Sequence, residues 1–147
     1  MQHSPDHWMA AALAESAAAL PACRPNPPVG CVLVLGDRIV ARGFTGPPGH
    51  PHAEAAALLD LPPDVDRRAL TAFVTLEPCS FRGRTPSCAL ALIASGIPRV
   101  VVATIDPHPK NRGRGLELLR EAGIDVQVGV LEPAVLEFIG PYLLPNG

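Results

Sequence analysis

Aromatic side chains are scarce in this chain: four Phe, one Trp and one Tyr make up 4% of its 147 residues. The hydrophobic fraction is nevertheless 48%, so the core must be filled by Ala, Leu, Val and Ile. A surplus of positive charge is also missing. Twelve Lys and Arg stand against fourteen Asp and Glu, for a net charge of −2. Nucleic-acid binding leaves a strong basic footprint, so no nucleic-acid partner is expected. One local basic cluster, Lys110, Arg112 and Arg114, reads as a solvated loop and helix start, or as a contact for a small anion. No apolar run reaches the roughly 18 residues that a bilayer requires, which argues against a membrane partner. The opening MQHSPDHWMA lacks a basic segment followed by an apolar one, so no secretory signal is expected. Those absences point to a soluble, cytoplasmic protein. In a reducing compartment its four cysteines are poor disulfide candidates, and metal binding or burial is the better reading.

What is present is organised as one unit. The length suits a single domain over residues 1–147, with no linker or internal repeat. The Ala-rich stretch from Asp6 to Leu20 reads as a helix stopped by Pro21. RPNPP (Arg24 to Pro28) is a stiff loop. VGCVLVL (Val29 to Leu35) is an apolar, β-branched run and reads as a buried strand. RIVARGF (Arg38 to Phe44) alternates polar with apolar and reads as its hairpin partner at one side of a sheet. Helices are expected at His52 to Leu61, Ser87 to Ser95, Gly113 to Ala122 and Pro133 to Ile139. Strands are expected at Ala72 to Leu76, Arg99 to Thr104 and Ile124 to Val130. Alternation of strand and helix after residue 50 predicts βα units in an α/β layered sandwich. The apolar VLEFIGPYLL segment near the C-terminus packs on its own domain or on a partner chain.

Two short pieces carry chemistry. His52-Ala53-Glu54 opens a predicted helix. Pro78-Cys79 follows a predicted strand, and Cys88 begins the next helix. A catalytic zinc site takes about three protein ligands and leaves a fourth position for water. One imidazole and two thiolates cancel the charge of Zn²⁺, which favours loss of a proton from that water near neutral pH. Thiolates at helix N-termini are further stabilised by the helix dipole. Glu54, two residues beyond His52, is turned away from it by roughly 100° per helical residue. That makes it a neighbour of the metal, able to move protons, and not a fourth ligand. Either piece alone is weak, since many helices begin this way and buried free cysteines are common. Their order and placement together make the signal strong. Cys31 falls inside the buried strand and reads as core. Cys23 lies in a loop and reads as structural or incidental.

His-x-Glu followed by Pro-Cys and a second Cys is the zinc deaminase pattern. Eight residues separate the two cysteines here, where two are usual. With RPNPPVGCV at 24–32, GHPHAE at 49–54, VTLEPCSFRGRTPSC at 74–88 and IDPHPKNRGRG at 105–115, the chain resembles the deaminase domain of the bifunctional riboflavin-biosynthesis deaminase/reductase, from about Pro5 to Val130. That resemblance implies a cytidine-deaminase-like three-layer α/β/α sandwich with a five-stranded mixed sheet. It implies one Zn²⁺ on His52, Cys79 and Cys88, with Glu54 as the proton shuttle. It also implies that Asn26 contacts the pyrimidine ring, that Arg84 is a basic residue of the long loop, and that Asp106 lines the substrate site. A small-molecule substrate and a homodimer or larger homo-oligomer follow from the same likeness.

Three positions depart from the family pattern. Thr45 and Phe81 stand where histidines are usual, and His108 replaces the Asn of a DPNP stretch. All three are expected at the substrate mouth, and exchanging imidazole for phenyl removes donors and acceptors while adding apolar area. The chain also ends near where the reductase domain of the family would begin, so a stand-alone deaminase is expected. Three functions stay open. One is deamination of the diaminopyrimidinone ribosyl phosphate, with Arg84, Lys110 and Arg112 meeting the anion. Another is deamination of a different amino-heterocycle or cyclic guanidine. The last is a non-catalytic zinc-stabilised subunit, which would have no use for Glu54.

Overall fold

A computed structural model describes residues 3–81 and 87–143. Helix α1 (Pro5–Ala17) starts with Pro in its first turn, where the missing N–H costs nothing. Strand β1 (Gly30–Leu35) is buried over almost its full length. Strand β2 (Arg38–Phe44) is mixed in exposure, as suits a sheet edge. Helix α2 (Ala53–Asp60) is followed by a short 3₁₀ turn, Arg67–Ala69, and strand β3 (Leu70–Leu76). Helix α3 (Cys88–Ser95) is capped at both ends. The Ser87 hydroxyl accepts from the Leu90 amide at 3.3 Å, and Gly96 ends the helix with φ of 85°, a left-handed conformation that favours glycine. Strand β4 (Arg99–Thr104), helix α4 (Arg114–Glu121), strand β5 (Asp125–Val128), helix α5 (Glu132–Ile139) and a second 3₁₀ turn, Gly140–Tyr142, complete the order.

The five strands form one sheet in the order β2-β1-β3-β4-β5. β1 runs antiparallel to both neighbours, whereas β3, β4 and β5 are parallel. Side chains alternate across it. Cys31, Leu33, Val74, Val100 and Val102 pack with Ala53 and Ala57 of α2, Ala89 and Leu92 of α3, and Leu116 and Leu119 of α4. Val32, Val34, Phe73, Val101 and Ala103 face the other way, against Trp8, Met9 and Ala12 of α1 and Val135 and Ile139 of α5. The result is the three-layer α/β/α sandwich with a five-stranded mixed sheet. Small residues bring its layers close: a Cβ on Gly43 of β2 would strike the Ala53 carbonyl and the Ala57 amide of α2.

The helices and strands fall where the patterning predicts, with shifts at their ends. α1 stops at Ala17, ahead of the expected Leu20, and residues 18–25 continue as turns. β3 begins two residues early because Leu70 is buried and pairs with Leu35. The 3₁₀ turn at Arg67–Ala69 leaves no mark in the apolar pattern; it is held by the Asp66 carboxylate, which accepts from the Arg68 amide at 3.0 Å. Val135 and Ile139 of the C-terminal apolar segment are buried on the chain's own sheet. No helix among the described residues is long and apolar enough to cross a membrane.

Candidate active site

Strand direction gathers the site. Because β1 is antiparallel to β2 and β3, and β3 is parallel to β4, the start of β1 and the ends of β2, β3 and β4 lie at one end of the sheet. The segments there carry Asn26, then Thr45 to His52, then Cys79, then Asp106 and His108. They enclose a cavity of about 410 Å³ lined by Asn26, Thr45, His52, Glu54, Cys79, Phe81, Cys88, Asp106 and His108. Every site residue expected from the sequence is therefore brought together, except Arg84, which lies outside the described residues.

His52 is the residue preceding α2 and has extended backbone (φ −74°, ψ 174°). Its side chain does not cap the helix. Instead Nδ1 lies 3.4 Å from the sulfur of Cys88, the first residue of α3. The Cys88 amide in turn donates to the Cys79 sulfur at 3.2 Å. One ligand atom from each of His52, Cys79 and Cys88 falls within 4.8 Å of the other two. An imidazole and two thiols at this separation fit a zinc ion with one position left open.

The electrostatics divide the two thiols. Hydrogen bonding from the Cys88 thiol, and then from His52, pulls the Cys79 pKa down to about 4. Cys88 is pushed strongly up, first by its hydrogen bond to Cys79 and then by burial. In the metal-free protein the pair thus shares one proton, held by Cys88. The hydrogen bond with Cys79 also raises the pKa of His52, against the opposing effect of burial. Glu54 is 4% exposed, and its pKa is lifted to about 7, chiefly by burial and next by the negative charge of Cys79.

Two buried side chains that sequence reasoning passed over hold the metal loop. Glu77, next to Pro78-Cys79, accepts from the amides of Asp106 (3.1 Å), Gly113 (3.0 Å) and Leu116 (3.1 Å). Asn111 accepts from the Ser80 amide at 2.9 Å and donates to the Pro78 carbonyl and to Asp106 Oδ2, both at 3.2 Å. The only sequence signal for either was its presence in the motifs VTLEPCSFRGRTPSC and IDPHPKNRGRG. Gly115 allows this closeness, since a Cβ there would meet the Pro78 carbonyl. The Cys79 carbonyl accepts from the Ser87 hydroxyl (2.8 Å) and the Ala89 amide (3.0 Å).

At the rim, Thr45 Oγ1 accepts from the Val29 amide at 3.0 Å, so its hydroxyl is committed to backbone. Phe81 and His108 have ring centroids 5.8 Å apart, and the Lys110 ammonium lies 6.0 Å from the Phe81 centroid. His108 Nδ1 accepts from the Lys110 amide at 3.1 Å. Cys31 is buried in β1, as expected of a core residue. Cys23 is structural: its thiol donates to the Asn26 carbonyl at 3.3 Å, and its own carbonyl accepts from the Asn26 amide at 2.9 Å.

A three-layer sandwich with His-x-Glu at one helix start and two cysteines around the next defines a zinc-binding centre of the deaminase type. Residues 2–104 match the family model described as the cytidine and deoxycytidylate deaminase zinc-binding region, and the chain belongs to that family. It is 50% identical over 113 residues to the riboflavin biosynthesis protein RibD of Aquifex aeolicus, a match that covers 77% of this chain and 31% of the relative. The diaminohydroxyphosphoribosylaminopyrimidine deaminase/5-amino-6-(5-phosphoribosylamino)uracil reductase of Thermotoga maritima superposes with a TM-score of 0.87 at 40% identity, over 94% of this chain and 40% of that one. Aspergillus oryzae Rib2 deaminase, in a complex with DARIPP, superposes with a TM-score of 0.70 at 25% identity, over 96% and 93% of the two chains. The chain spans about a third of the length of the curated relatives it matches.

Proposed function

We propose that this chain is a zinc-dependent hydrolytic deaminase of the diaminopyrimidinone ribosyl phosphate of riboflavin biosynthesis. The observation that carries the chemistry is the buried Glu54 carboxyl in the same cavity as His52, Cys79 and Cys88. Those three residues would hold Zn²⁺, which supplies a Lewis acid and makes water nucleophilic near neutral pH. Glu54 takes a proton from the attacking water and passes it to the ring nitrogen. It then takes the remaining proton from the hydroxyl on the attacked carbon and carries it to the departing amine. A carbon–oxygen bond forms, the carbon–nitrogen bond breaks, and the products are a carbonyl and ammonia. Burial lifts this carboxyl above the usual carboxylate range in the metal-free chain, and a carboxyl so raised can both accept and return a proton. Asn26 faces the ring edge, and the Phe81 and His108 rings form one wall. Lys110, with Arg84 and Arg112, supplies positive charge for the phosphate. The substrate assignment is supported by the likeness to the RibD proteins. The same reading includes a homodimer or larger assembly, which light scattering would measure.

A second reading is favoured by the rim. The Thr45 hydroxyl is spent on Val29, and Phe81 offers no polar handle, so a different amino-heterocycle or a cyclic guanidine fits the same machinery. Ammonia release from the zinc-loaded chain separates the two. Turnover of the diaminopyrimidinone ribosyl phosphate supports the first. If that compound is inert while a panel of aminopyrimidines and guanidines is hydrolysed, the second holds.

A further inference from the structure

We propose that Glu77 and Asn111 are positioning residues that lock the Cys79 ligand to the Asp106–His108 wall of the cavity, so that metal loading and the shape of the substrate mouth are coupled. The inference rests on the metal centre and is independent of which amine is the substrate.

Asn111 is fully buried and grips the peptide units on both sides of Cys79: it accepts from Ser80 and donates to Pro78. Its remaining bond goes to Asp106. Glu77 is 3% exposed, and its carboxylate receives three backbone amides, from Asp106, Gly113 and Leu116. Two of these donors lie at the start of α4. Gly113 is that helix's N-cap and has no side chain with which to cap it. Glu77 therefore caps α4 from the end of β3, with the negative charge that a helix N-terminus favours. Asp106 is bonded by both residues, its amide to Glu77 and its carboxylate to Asn111. The stretch 77–80 cannot shift without moving residues 106–116. Core hydrophobic packing alone would not need an anion here, because burying a charge is costly unless it is fully hydrogen-bonded.

The decisive variant is Glu77→Gln. A glutamine has the same shape but one acceptor oxygen, so its NH₂ must face at least one of the three amide donors. Asn111→Asp is the second variant: it keeps the acceptor for Ser80 but turns a carboxylate on the Pro78 carbonyl and the Asp106 carboxylate. Val135→Ala, in the core on the opposite face of the sheet, controls for lost stability. Zinc release to an excess of chelator is timed for each loaded protein. Partners behind metal ligands typically change metal affinity or activity by about 10- to 100-fold. We expect release from the Glu77 and Asn111 variants to be faster than from wild type by about that factor, with Val135→Ala close to wild type. Equal release in all three variants would overturn the proposal. Hydrogen exchange supplies a readout in the unmutated protein. Zinc loading should slow exchange across residues 104–116, and no effect of zinc there would equally overturn the coupling.

Discussion

The backbone amide of Cys88 donates to the sulfur of Cys79 at 3.2 Å. That contact ties the loop after β3 to the start of α3 and brings the two sulfurs together. Cys79 receives the Cys88 thiol first, then His52 and the Cys88 amide at a helix N-terminus, and so is held as a thiolate. Cys88 donates its proton to that thiolate and is thereby discouraged from losing it.

Zinc binding should therefore release protons. The Cys88 proton must leave before both sulfurs can bind a metal, and His52 must be neutral. The raised Cys88 value means that metal-free protein holds that proton at neutral pH, and the raised His52 value means that the imidazole keeps its proton to a higher pH than a free one. Apparent zinc affinity should rise with pH, by about tenfold per unit while one proton is displaced and more steeply where His52 is also protonated. Chelator competition between pH 6 and pH 8 measures the slope, and a flat profile would contradict the proton assignment.

Glu54→Gln removes the proposed proton carrier and keeps its shape. Zinc content should be unchanged, and turnover should fall by about 10²- to 10⁴-fold. Thermal stability should hold or rise, since an amide avoids burying a charge. Elemental analysis, ammonia release and a melting curve check these three points, and full activity would eliminate Glu54 from the mechanism.

The contact between α2 and β2 makes a prediction that concerns packing. Gly43→Ala would drive a methyl group into the Ala53 carbonyl and the Ala57 amide, pushing away the helix that carries Glu54 and follows His52. Overpacking of this kind costs roughly 1–3 kcal/mol. Denaturant unfolding should register that loss, accompanied by weaker zinc retention.

Phe81 reports on the substrate. If the ring stacks on a heterocycle, Phe81→Ala should raise KM by roughly two- to tenfold, the equivalent of an aromatic contact of about 0.5–1.5 kcal/mol, and change kcat less. A loss confined to kcat would assign Phe81 a different role. Steady-state kinetics on whichever amine is turned over provides the comparison.

Much of this was legible in the one-dimensional pattern. The β-branched run at 29–35 and the RVVVAT run at 99–104 announce strands because only a sheet interior accommodates such continuous apolar stretches. His52, Glu54, Cys79 and Cys88 were legible as candidates because metal chemistry restricts ligand type and proton transfer restricts the acid. The sequence by itself therefore determined the candidate ligand set and the order of elements. Tertiary structure decided what those residues became. The division of Cys79 and Cys88 into thiolate and thiol depends on a hydrogen bond that exists only when β3 and α3 meet. The elevation of Glu54 to about 7 depends on burial by neighbours distant in sequence. Glu77 reads as an ordinary loop carboxylate until the amides of Asp106, Gly113 and Leu116 converge on it from as many as 39 residues away. Local propensity encodes where a chain turns and coils. Hydrogen bonding and desolvation across such separations arise only after the chain has closed on itself.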